Sequence, residues 1–245
     1  MAAHDGLGID FHHDWARKPW AKAVRSVLLE VITKPLNSLF APATVTGLHH
    51  LEGLDGPCIF VANHASHVDT STMLNRLPRR FAHHMVIAAA ADYFFDKKGK
   101  ATFWALTLNA IPVERTKIDR RSAVIAQTLI EEGWNLMIFP EGGRSVDGRM
   151  QPFKPGAAFL ACRTGVPVVP VYLDGTRAIL AKSVPGQRHH LLRRHHVRVS
   201  IGAPLVPGDG ASARRFAPLI QEAVIAASDG RAVLADDAEA SDGAD

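Results

Sequence analysis

The stretch "CIFVANHASHVD", Cys58 to Asp69, decides how the rest of the chain is interpreted. Its first half is a continuous apolar run, which is typical of a strand buried on both faces of a sheet. Its second half holds two histidines, a serine and an aspartate, where a turn rich in glycine or proline is more usual. We therefore predict a buried strand whose carboxyl end carries side chains able to hydrogen-bond and to move protons.

Short apolar runs of the same kind recur along the chain and alternate with segments of helical periodicity. This alternation predicts an α/β fold with a mixed, largely parallel sheet flanked by helices. In such folds functional groups collect at the carboxyl ends of the strands. The predicted strands are "TVTGL", "CIFVAN", "MVIAAA", "IPVER", "NLMIF", "VPVVPVYL" and "HVRVSIG", and the predicted helices cover residues 67–76, 97–109, 119–132, 155–163 and 211–227.

An amphipathic helix is predicted near the N-terminus, over Trp15–Lys34. Its apolar residues recur at three- and four-residue steps, and its basic residues fall mainly on the other side. Pro35 should end or bend this helix. Two interpretations of the apolar face remain open. The face either lies in a membrane interface, with tryptophan rings at headgroup level, or packs on the core of the domain.

Charge divides the chain of 245 residues into a basic body and an acidic end. The formal net charge is +4, but residues 229–245 carry −5, so residues 1–228 carry +9. A basic body favours nucleic acid, anionic headgroups or phosphorylated small molecules as partners, or it serves solubility alone. We predict an N-terminal helical segment over 1–42, one domain over 43–228 and a disordered acidic tail over 229–245.

Compartment and redox state are also suggested by the sequence. It contains no continuous apolar run of about 18 residues or more, and no secretory signal is recognisable at the N-terminus. Cys58 and Cys162 both lie in apolar runs and are expected to be reduced thiols. We therefore expect a cytoplasmic protein, or one that lies on a membrane surface.

His64 and Asp69 are the candidate catalytic residues. His64 stands just ahead of a predicted helix, whose positive end disfavours imidazolium, so it should be neutral and able to accept a proton. Asp69 can reach back, hold the other ring nitrogen and stabilise the imidazolium that forms. The alternative is structural: Ser66 caps the helix, and Asp69, as its third residue, satisfies a backbone N–H in a capping box.

Two other chemistries use the same loop. His64 and His67 are three residues apart and could share a metal, but no HExxH motif or cysteine pair supplies the remaining ligands. Ser66 is a candidate nucleophile, although no GxSxG elbow surrounds it.

A second polar loop, "FPEGGRS" at 139–145, again follows a predicted strand directly. Its two glycines allow a tight loop whose N–H groups point at a ligand, and Arg144 adds a planar donor suited to phosphate. Arg115 follows another predicted strand, and Lys154 precedes a predicted helix that Gly156 opens. Together the three cations would form an anion pocket. Alternatively, the loop is a surface turn and the cations are solvated.

Taken together, these motifs resemble the glycerophospholipid acyltransferase superfamily, whose best-known members are the 1-acylglycerol-3-phosphate acyltransferases. "NHASHVD", "NAIPVER" at 109–115, "FPEGGRS" and "VPVVPV" at 166–171 match its four blocks in the family's order. The match spans about residues 61–171, and Lys154 falls where the family also places a lysine. Four blocks in order make this resemblance far more specific than a single histidine–aspartate spacing.

Three positions depart from the usual pattern of the superfamily. Gly143 stands where threonine is usual, Asn109 where glycine is common and Glu114 where aspartate is frequent. The missing threonine removes one hydroxyl contact and should loosen the loop. None of the three positions touches the proposed base, so the departures bear on the acceptor and not on the proton transfer.

The resemblance implies an O-acyltransferase. His64 would take the proton from the free hydroxyl of a lysophospholipid, with Asp69 orienting it, and the oxygen would attack the thioester of acyl-CoA or acyl carrier protein. No metal and no organic cofactor is required, and no nucleic acid is expected as a partner. The residues that would hold the glycerol phosphate of the acceptor, 1-acylglycerol-3-phosphate in the simplest case, are Arg115, Glu141, Gly142, Arg144 and, on position and charge alone, Lys154.

We accordingly expect a peripheral enzyme at the cytoplasmic face of the membrane that makes phosphatidic acid. Two alternatives stay open. One is a hydrolase that cleaves thioesters or lipid esters through Ser66 or an activated water. The other is a non-catalytic protein that binds anionic lipid through the N-terminal helix and the basic loops.

Overall fold

The computed structural model describes residues 6–114, 120–180 and 194–235. One seven-stranded sheet runs through these residues, and it contains all seven predicted strands. The strands are β1 Ala43–Thr46, β2 Ile59–Ala62, β3 Met85–Ala90, β4 Ala110–Val113, β5 Asn135–Ile138, β6 Val168–Asp174 and β7 Val197–Ile201. Their order in the sheet is β1-β7-β6-β2-β5-β3-β4.

All neighbouring strands are parallel except β6 and β7, so the sheet is mixed and largely parallel, as predicted. β2 shows why its sequence is a continuous apolar run. Phe60 and Ala62 enter the core on one face of the sheet, while Ile59 and Val61 enter the core on the other. Burial on both faces leaves no position of this strand for a polar side chain.

Helices cover both faces of the sheet. Those in the described residues are α1 Pro19–Val27, α2 Lys34–Phe40, α3 Asp69–Arg76, α4 Arg79–Ala82, α5 Ala91–Phe94, α6 Lys98–Leu108, α7 Arg120–Glu131, α8 Gly156–Thr164, α9 Arg177–Leu180 and α10 Ala213–Ala227. The five helices predicted after the first strand correspond to α3, α6, α7, α8 and α10. The single-turn helices α4, α5 and α9 were missed because four residues show no periodicity. No helix in this part of the chain has the length and apolar character needed to cross a bilayer.

The N-terminal helix continues past the point where the sequence predicted its end. α1 is followed by a π-helical turn, Leu28–Thr33, and then directly by α2. Pro35 lies in the first turn of α2, where a missing N–H is tolerated. The expectation that Pro35 ends the helix was therefore wrong, and the hydrogen-bonding pattern changes instead in the π turn that comes just before the proline.

The apolar face of this N-terminal segment is turned outward. Its most exposed apolar side chains are Trp20, Val27, Val31, Ile32, Leu36 and Leu39. The other side is anchored by Arg25, which donates hydrogen bonds to the carbonyl oxygens of Ala105 and Leu106 in α6. The interpretation in which the apolar face packs on the core is therefore wrong for these side chains.

Residues 229–235 were assigned to a disordered tail on composition, but they pack against the domain. The hydroxyl of Tyr172 donates to the carbonyl oxygen of Arg231 at 3.1 Å. The N–H of Met150 donates to the carbonyl oxygen of Val233 at 2.8 Å. The predicted start of the tail was thus too early, because composition did not reveal these contacts. The rest of it, 236–245, lies outside the described residues.

The topology brings the two polar loops together. β2 lies at the centre of the sheet, between β6 and β5, and is parallel to both. The carboxyl ends of these three strands therefore share one edge. The chain leaves β2 at Asn63, β5 at Phe139 and β6 at Gly175. The loops "NHASHVD" and "FPEGGRS" are consequently neighbours, although about 75 residues separate them in the chain.

Candidate active site

The loop that leaves β2 is fixed to β6 by the side chain of Asn63. Its Nδ2 donates to the carbonyl oxygen of Leu173 at 2.9 Å, and its Oδ1 accepts the N–H of Leu173 at 2.7 Å. Asn63 is buried, so these two bonds continue the pairing of the strands beyond the end of β2. They fix the direction in which the chain continues to His64.

His64 and Asp69 form the hydrogen bond that the sequence predicted. Nδ1 of His64 lies 2.8 Å from Oδ2 of Asp69. The Asp69 side chain is fully buried, whereas that of His64 is 20% exposed. Nε2 of His64 has no hydrogen bond to any of the described residues. The buried carboxylate therefore orients the ring by one nitrogen and leaves the other for a ligand.

The same carboxylate oxygen also organises the backbone of the loop. Oδ2 of Asp69 accepts the N–H groups of Ala65 and Ser66, each at 2.8 Å. The structural alternative considered for Asp69 thus holds together with the catalytic one. The predicted start of the helix was wrong, because α3 begins at Asp69 itself. Asp69 is thus the first and not the third residue of the helix, and Ser66 is not its N-cap. The hydroxyl of Ser66 instead donates to the carbonyl oxygen of Leu180 at 2.8 Å.

The geometry does not favour the rival chemistries of this loop. Ser66 is fully buried and its hydroxyl donates to a backbone oxygen, which makes it a poor candidate nucleophile. His67 lies on the exposed side of the loop. Within residues 6–114, 120–180 and 194–235, no three His, Cys, Asp or Glu side chains are grouped as a metal site requires.

Phe139 packs on the imidazole of His64. The ring centroids are 4.1 Å apart and the planes are inclined by 20°. Phe139 follows β5, which is parallel to β2, so its ring reaches His64 at the common edge of the two strands. The contact shields one face of the imidazole from water and limits its rotation. The sequence did not single out Phe139, although it opens the second polar motif.

Glu141 joins the two polar loops. Its Oε1 accepts the backbone N–H of His64 at 2.6 Å, and its Oε2 accepts that of Gln151 at 3.0 Å. Burial raises the pKa of Glu141 to about 7, against the opposing effect of these two hydrogen bonds. Glu141 was expected to bind substrate. Both of its oxygens are instead used to position the loop that carries the dyad.

Gly142 and Lys154 form a close contact that only glycine allows. Gly142 has φ of 74°, in the left-handed region, and a Cβ at this position would lie 2.5 Å from Nζ of Lys154. The N–H of Lys154 donates to the carbonyl oxygen of Pro140 at 2.9 Å, which ties its backbone to the same loop. The structure thus brings together Gly142 and Lys154, two of the residues expected to hold the acceptor.

Arg144 is the cation of the loop 139–145 itself. Its Nη1 is buried and has no hydrogen-bond partner among the described residues. Burial lowers the pKa of Arg144. The next residue, Ser145, donates its N–H to the carbonyl oxygen of His64 at 2.8 Å. A buried guanidinium N–H that no protein group satisfies is suited to an anionic ligand.

His64, Gly142, Arg144 and Lys154 border one cavity of about 1200 Å³. Most of its remaining wall is apolar and includes Leu29, Ile32, Leu74, Ile87, Phe94 and Trp104. A cavity with a base, three cationic residues (Arg25, Arg144 and Lys154) and a long apolar wall is suited to an amphiphile with an anionic headgroup.

One predicted site residue, Arg115, and one departure from the family pattern, Asn109, remain. Arg115 lies outside the described residues. Asn109, which departs from the usual glycine, is the last residue before β4 and has φ of 52° and ψ of 39°. Asparagine tolerates this left-handed conformation better than other residues, and its Nδ2 donates to the carbonyl oxygen of Met85 at 3.0 Å. This departure therefore preserves the backbone conformation that glycine would give.

The chain is similar in sequence to known acyltransferases. The chain is 34% identical over 175 residues to a chloroplastic 1-acyl-sn-glycerol-3-phosphate acyltransferase of Brassica napus, covering 68% of this chain and 46% of that one. It is 32% identical over 168 residues to 1-acyl-sn-glycerol-3-phosphate acyltransferase alpha of Homo sapiens, covering 68% and 55% of the two chains. The chain thus spans about half the length of the curated relatives it matches.

The fold is similar to a crystal structure of the 1-acyl-sn-glycerophosphate (LPA) acyltransferase PlsC from Thermotoga maritima. The TM-score is 0.61 at 25% sequence identity, and the similarity covers 86% of this chain and 82% of that one. The acyltransferase family model matches residues 42–174, which is more than half of the chain and includes both polar loops. By this match, the chain belongs to the acyltransferase family.

Proposed function

We propose that the protein transfers an acyl group from acyl-CoA or acyl carrier protein to the free hydroxyl of a lysophospholipid. The simplest acceptor is 1-acylglycerol-3-phosphate, which would give phosphatidic acid. The observation that carries the proposal is the 2.8 Å bond between His64 and the buried Asp69 at the wall of a largely apolar cavity. The names of the relatives support the choice of acceptor.

In the proposed reaction, Nε2 of His64 accepts the proton of the acceptor hydroxyl as its oxygen attacks the thioester carbonyl. A C–O bond forms, and collapse of the tetrahedral intermediate breaks the C–S bond. The departing thiolate takes the proton from the imidazolium. Asp69 stabilises the imidazolium between these two transfers, a role that commonly accompanies a general base. Because the thioester is already activated, the proposed reaction requires no metal and no organic cofactor.

The acceptor headgroup would lie against the second polar loop. Arg144 offers a buried N–H without a partner among the described residues, and Lys154 lies beside Gly142 on the same cavity wall. We propose that these two cations bind the glycerol phosphate, together with Arg115, which follows β4. Acyl chains would occupy the apolar part of the cavity, where burial of methylene groups stabilises the bound amphiphile.

We further propose that the enzyme works at a membrane surface, on its cytoplasmic side. The support is the outward-facing apolar side of the N-terminal segment, where Val27 and Val31 are 58% and 65% exposed. Contiguous exposed apolar side chains of this kind are typical of interaction sites. Residues Arg25, Leu28, Leu29 and Ile32 of the same segment line the cavity. Lipid substrates would thus reach the cavity beside the surface that contacts the membrane.

The test is an assay of thiol release from acyl-CoA, with and without 1-acylglycerol-3-phosphate, with the product identified by mass spectrometry. We expect release to require the acceptor, and we expect His64→Ala to lower the rate by about 10²–10⁴-fold. His12→Ala is the matched control, since the His12 side chain is 78% exposed. Release without acceptor would indicate a hydrolase, and no turnover with any acceptor would indicate a non-catalytic lipid-binding protein.

A further inference from the structure

A second cavity, of about 640 Å³, lies beside the first at the carboxyl edge of the sheet. Asn63 and Ala65 line it, whereas His64, between them in the chain, lines the larger cavity. The loop that carries the dyad is therefore the wall between the two cavities. The loop after β5 also reaches both, because Arg144 borders the larger cavity and Asp147 borders the smaller one.

The smaller cavity has a mixed polar and apolar lining, and it carries more positive than negative groups. Its charged lining residues are Asp147, Arg149, Asp174, Arg177 and Arg231. Arg149 lies 3.7 Å from a carboxylate oxygen of Asp147. Arg231 lies 3.7 Å from Asp174 and 3.4 Å from Asp229, and all of these pairs are at partly exposed positions. Long and partly exposed pairs of this kind contribute little stability and can exchange a carboxylate for another anion.

Arg177 differs from the other two arginines. Within the described residues it forms no ion pair, and its one hydrogen bond runs from Nη2 to the carbonyl oxygen of Val146. Its Nε is buried and has no partner among those residues. Gly148, with φ of 93°, leaves room for this side chain, because a Cβ there would lie 3.0 Å from Cδ of Arg177. The guanidinium is thus held in place with donors still unused.

Thr176 supplies a second and independent indication of a ligand. The residue is only 1% exposed and lines the cavity. Its Oγ1 has no hydrogen-bond partner in the described part of the chain. Buried hydroxyl groups normally have a partner, since leaving one unsatisfied is unfavourable. An oxygen-rich anion in the cavity would satisfy both this hydroxyl and the guanidinium of Arg177.

We propose that this second cavity binds the phosphate groups attached to the pantetheine arm of the acyl donor. The inference rests on the proposed function, which requires two anionic substrates to be bound at once. The acceptor phosphate is assigned to Arg144 and Lys154 in the larger cavity, and two phosphates at one site would repel each other. The flexible pantetheine arm would pass from the second cavity over the rim of the dyad loop and present its thioester to His64.

The test compares two donors with the same acyl chain, acyl-CoA and acyl-pantetheine, which lacks the phosphates. For Arg177→Gln we expect the KM for acyl-CoA to rise about tenfold, as the loss of one charge-assisted hydrogen bond implies. The KM for acyl-pantetheine and that for the acceptor should stay as in the wild type. Arg163→Gln is the control, because Arg163 is exposed on α8, away from both cavities. An equal effect on both donors, an effect on the acceptor, or no effect would overturn the proposal.

Two further measurements keep the proposal separate from folding and from the proposed function. Thr176→Val removes the hydroxyl and keeps the shape of the side chain, so it should also raise the KM for acyl-CoA. This variant replaces Arg177→Gln in the test if Arg177→Gln fails to fold. Calorimetric titration with 4′-phosphopantetheine, pantetheine and inorganic phosphate needs no turnover. Binding of phosphopantetheine that Arg177→Gln weakens supports the cavity even if no acyl transfer is found. Binding of inorganic phosphate alone, or equal binding of pantetheine, would contradict it.

Discussion

The backbone N–H of His64 donates to Oε1 of Glu141 at 2.6 Å, and this bond joins the loops that follow β2 and β5. The other oxygen of Glu141 accepts the N–H of Gln151. One buried carboxylate thus sets the position of the proposed base relative to the loop that carries Arg144. The dyad and the cations belong to separate parts of the sequence, and Glu141 holds them at a fixed spacing.

Glu141→Gln should lower activity because an amide has only one acceptor oxygen for two backbone donors. One N–H, of His64 or of Gln151, would then face an NH2 group. An unsatisfied buried donor costs about 1–3 kcal/mol, so the loop should shift and kcat should fall about tenfold or more. Steady-state kinetics would measure this, with Glu52→Gln as the control, since Glu52 is exposed. Unchanged kinetics would show that Glu141 does not position the base.

The same variant should change how stability depends on pH. The folded-state pKa of Glu141 is raised to about 7 from 4.5, so between these values the folded protein holds a proton that the unfolded chain has lost. The contribution of Glu141 to the free energy of unfolding therefore decreases as pH rises from 4.5 to 7, by up to about 1.4 kcal/mol per pH unit. Chemical denaturation at several pH values should show this decrease in the wild type and not in Glu141→Gln. If stability changed equally with pH in the two proteins, the raised pKa of Glu141 would be contradicted.

Asp69→Asn and Asp69→Ala separate the two roles of Asp69. Asparagine retains an acceptor for the N–H groups of Ala65 and Ser66 but lacks the charge that stabilises imidazolium. We expect a loss of about 10³-fold or more in kcat with a melting temperature close to that of the wild type. Asp69→Ala should lose activity to the same extent and should also be less stable, because two backbone donors become unsatisfied. A fully active Asp69→Asn enzyme would exclude the dyad mechanism.

The sequence predicted the parts of this site that depend on short segments of chain. The apolar run before Asn63 indicated a strand buried on both faces, and only four residues separate His64 from Asp69, which allows their contact. The role of Glu141 could not be predicted, because its partner His64 lies in another loop and the order of strands decides that they meet. Composition also assigned Arg231 wrongly to a disordered tail, because it could not reveal that the backbone carbonyl of Arg231 accepts a hydrogen bond from Tyr172.

Gly142→Ala should weaken acceptor binding through Lys154. A Cβ at this position would lie 2.5 Å from Nζ of Lys154 and displace it, and the φ of 74° adds strain of roughly 1–2 kcal/mol. We expect the KM for the acceptor to rise several-fold more than the KM for the donor. The adjacent Gly143→Ala is the comparison, because a Cβ there would meet no atom within 4 Å and the φ of Gly143 is not positive. A larger effect at Gly143 than at Gly142 would refute this account of the loop.

The exposed apolar face of the N-terminal segment should determine binding to lipid. Val27 and Val31 are 58% and 65% exposed and lie four residues apart, so they project from the same side. Replacing both with glutamate removes apolar contact and adds negative charge facing anionic headgroups. Fully burying one valine contributes at least about 1.5 kcal/mol, so we expect affinity for phosphatidylglycerol vesicles to fall at least tenfold.

Vesicle sedimentation would measure this loss, with Val206→Glu as the matched control. Val206 is 66% exposed but lies between β7 and α10, away from the N-terminal segment. The control should bind vesicles as the wild type does, and both proteins should keep activity on acceptor dispersed in detergent, since neither change touches the dyad. If the double variant binds vesicles as tightly as the wild type, the membrane contact must be sought on another surface. If Val206→Glu weakens binding equally, the effect is one of net charge and not of the apolar face.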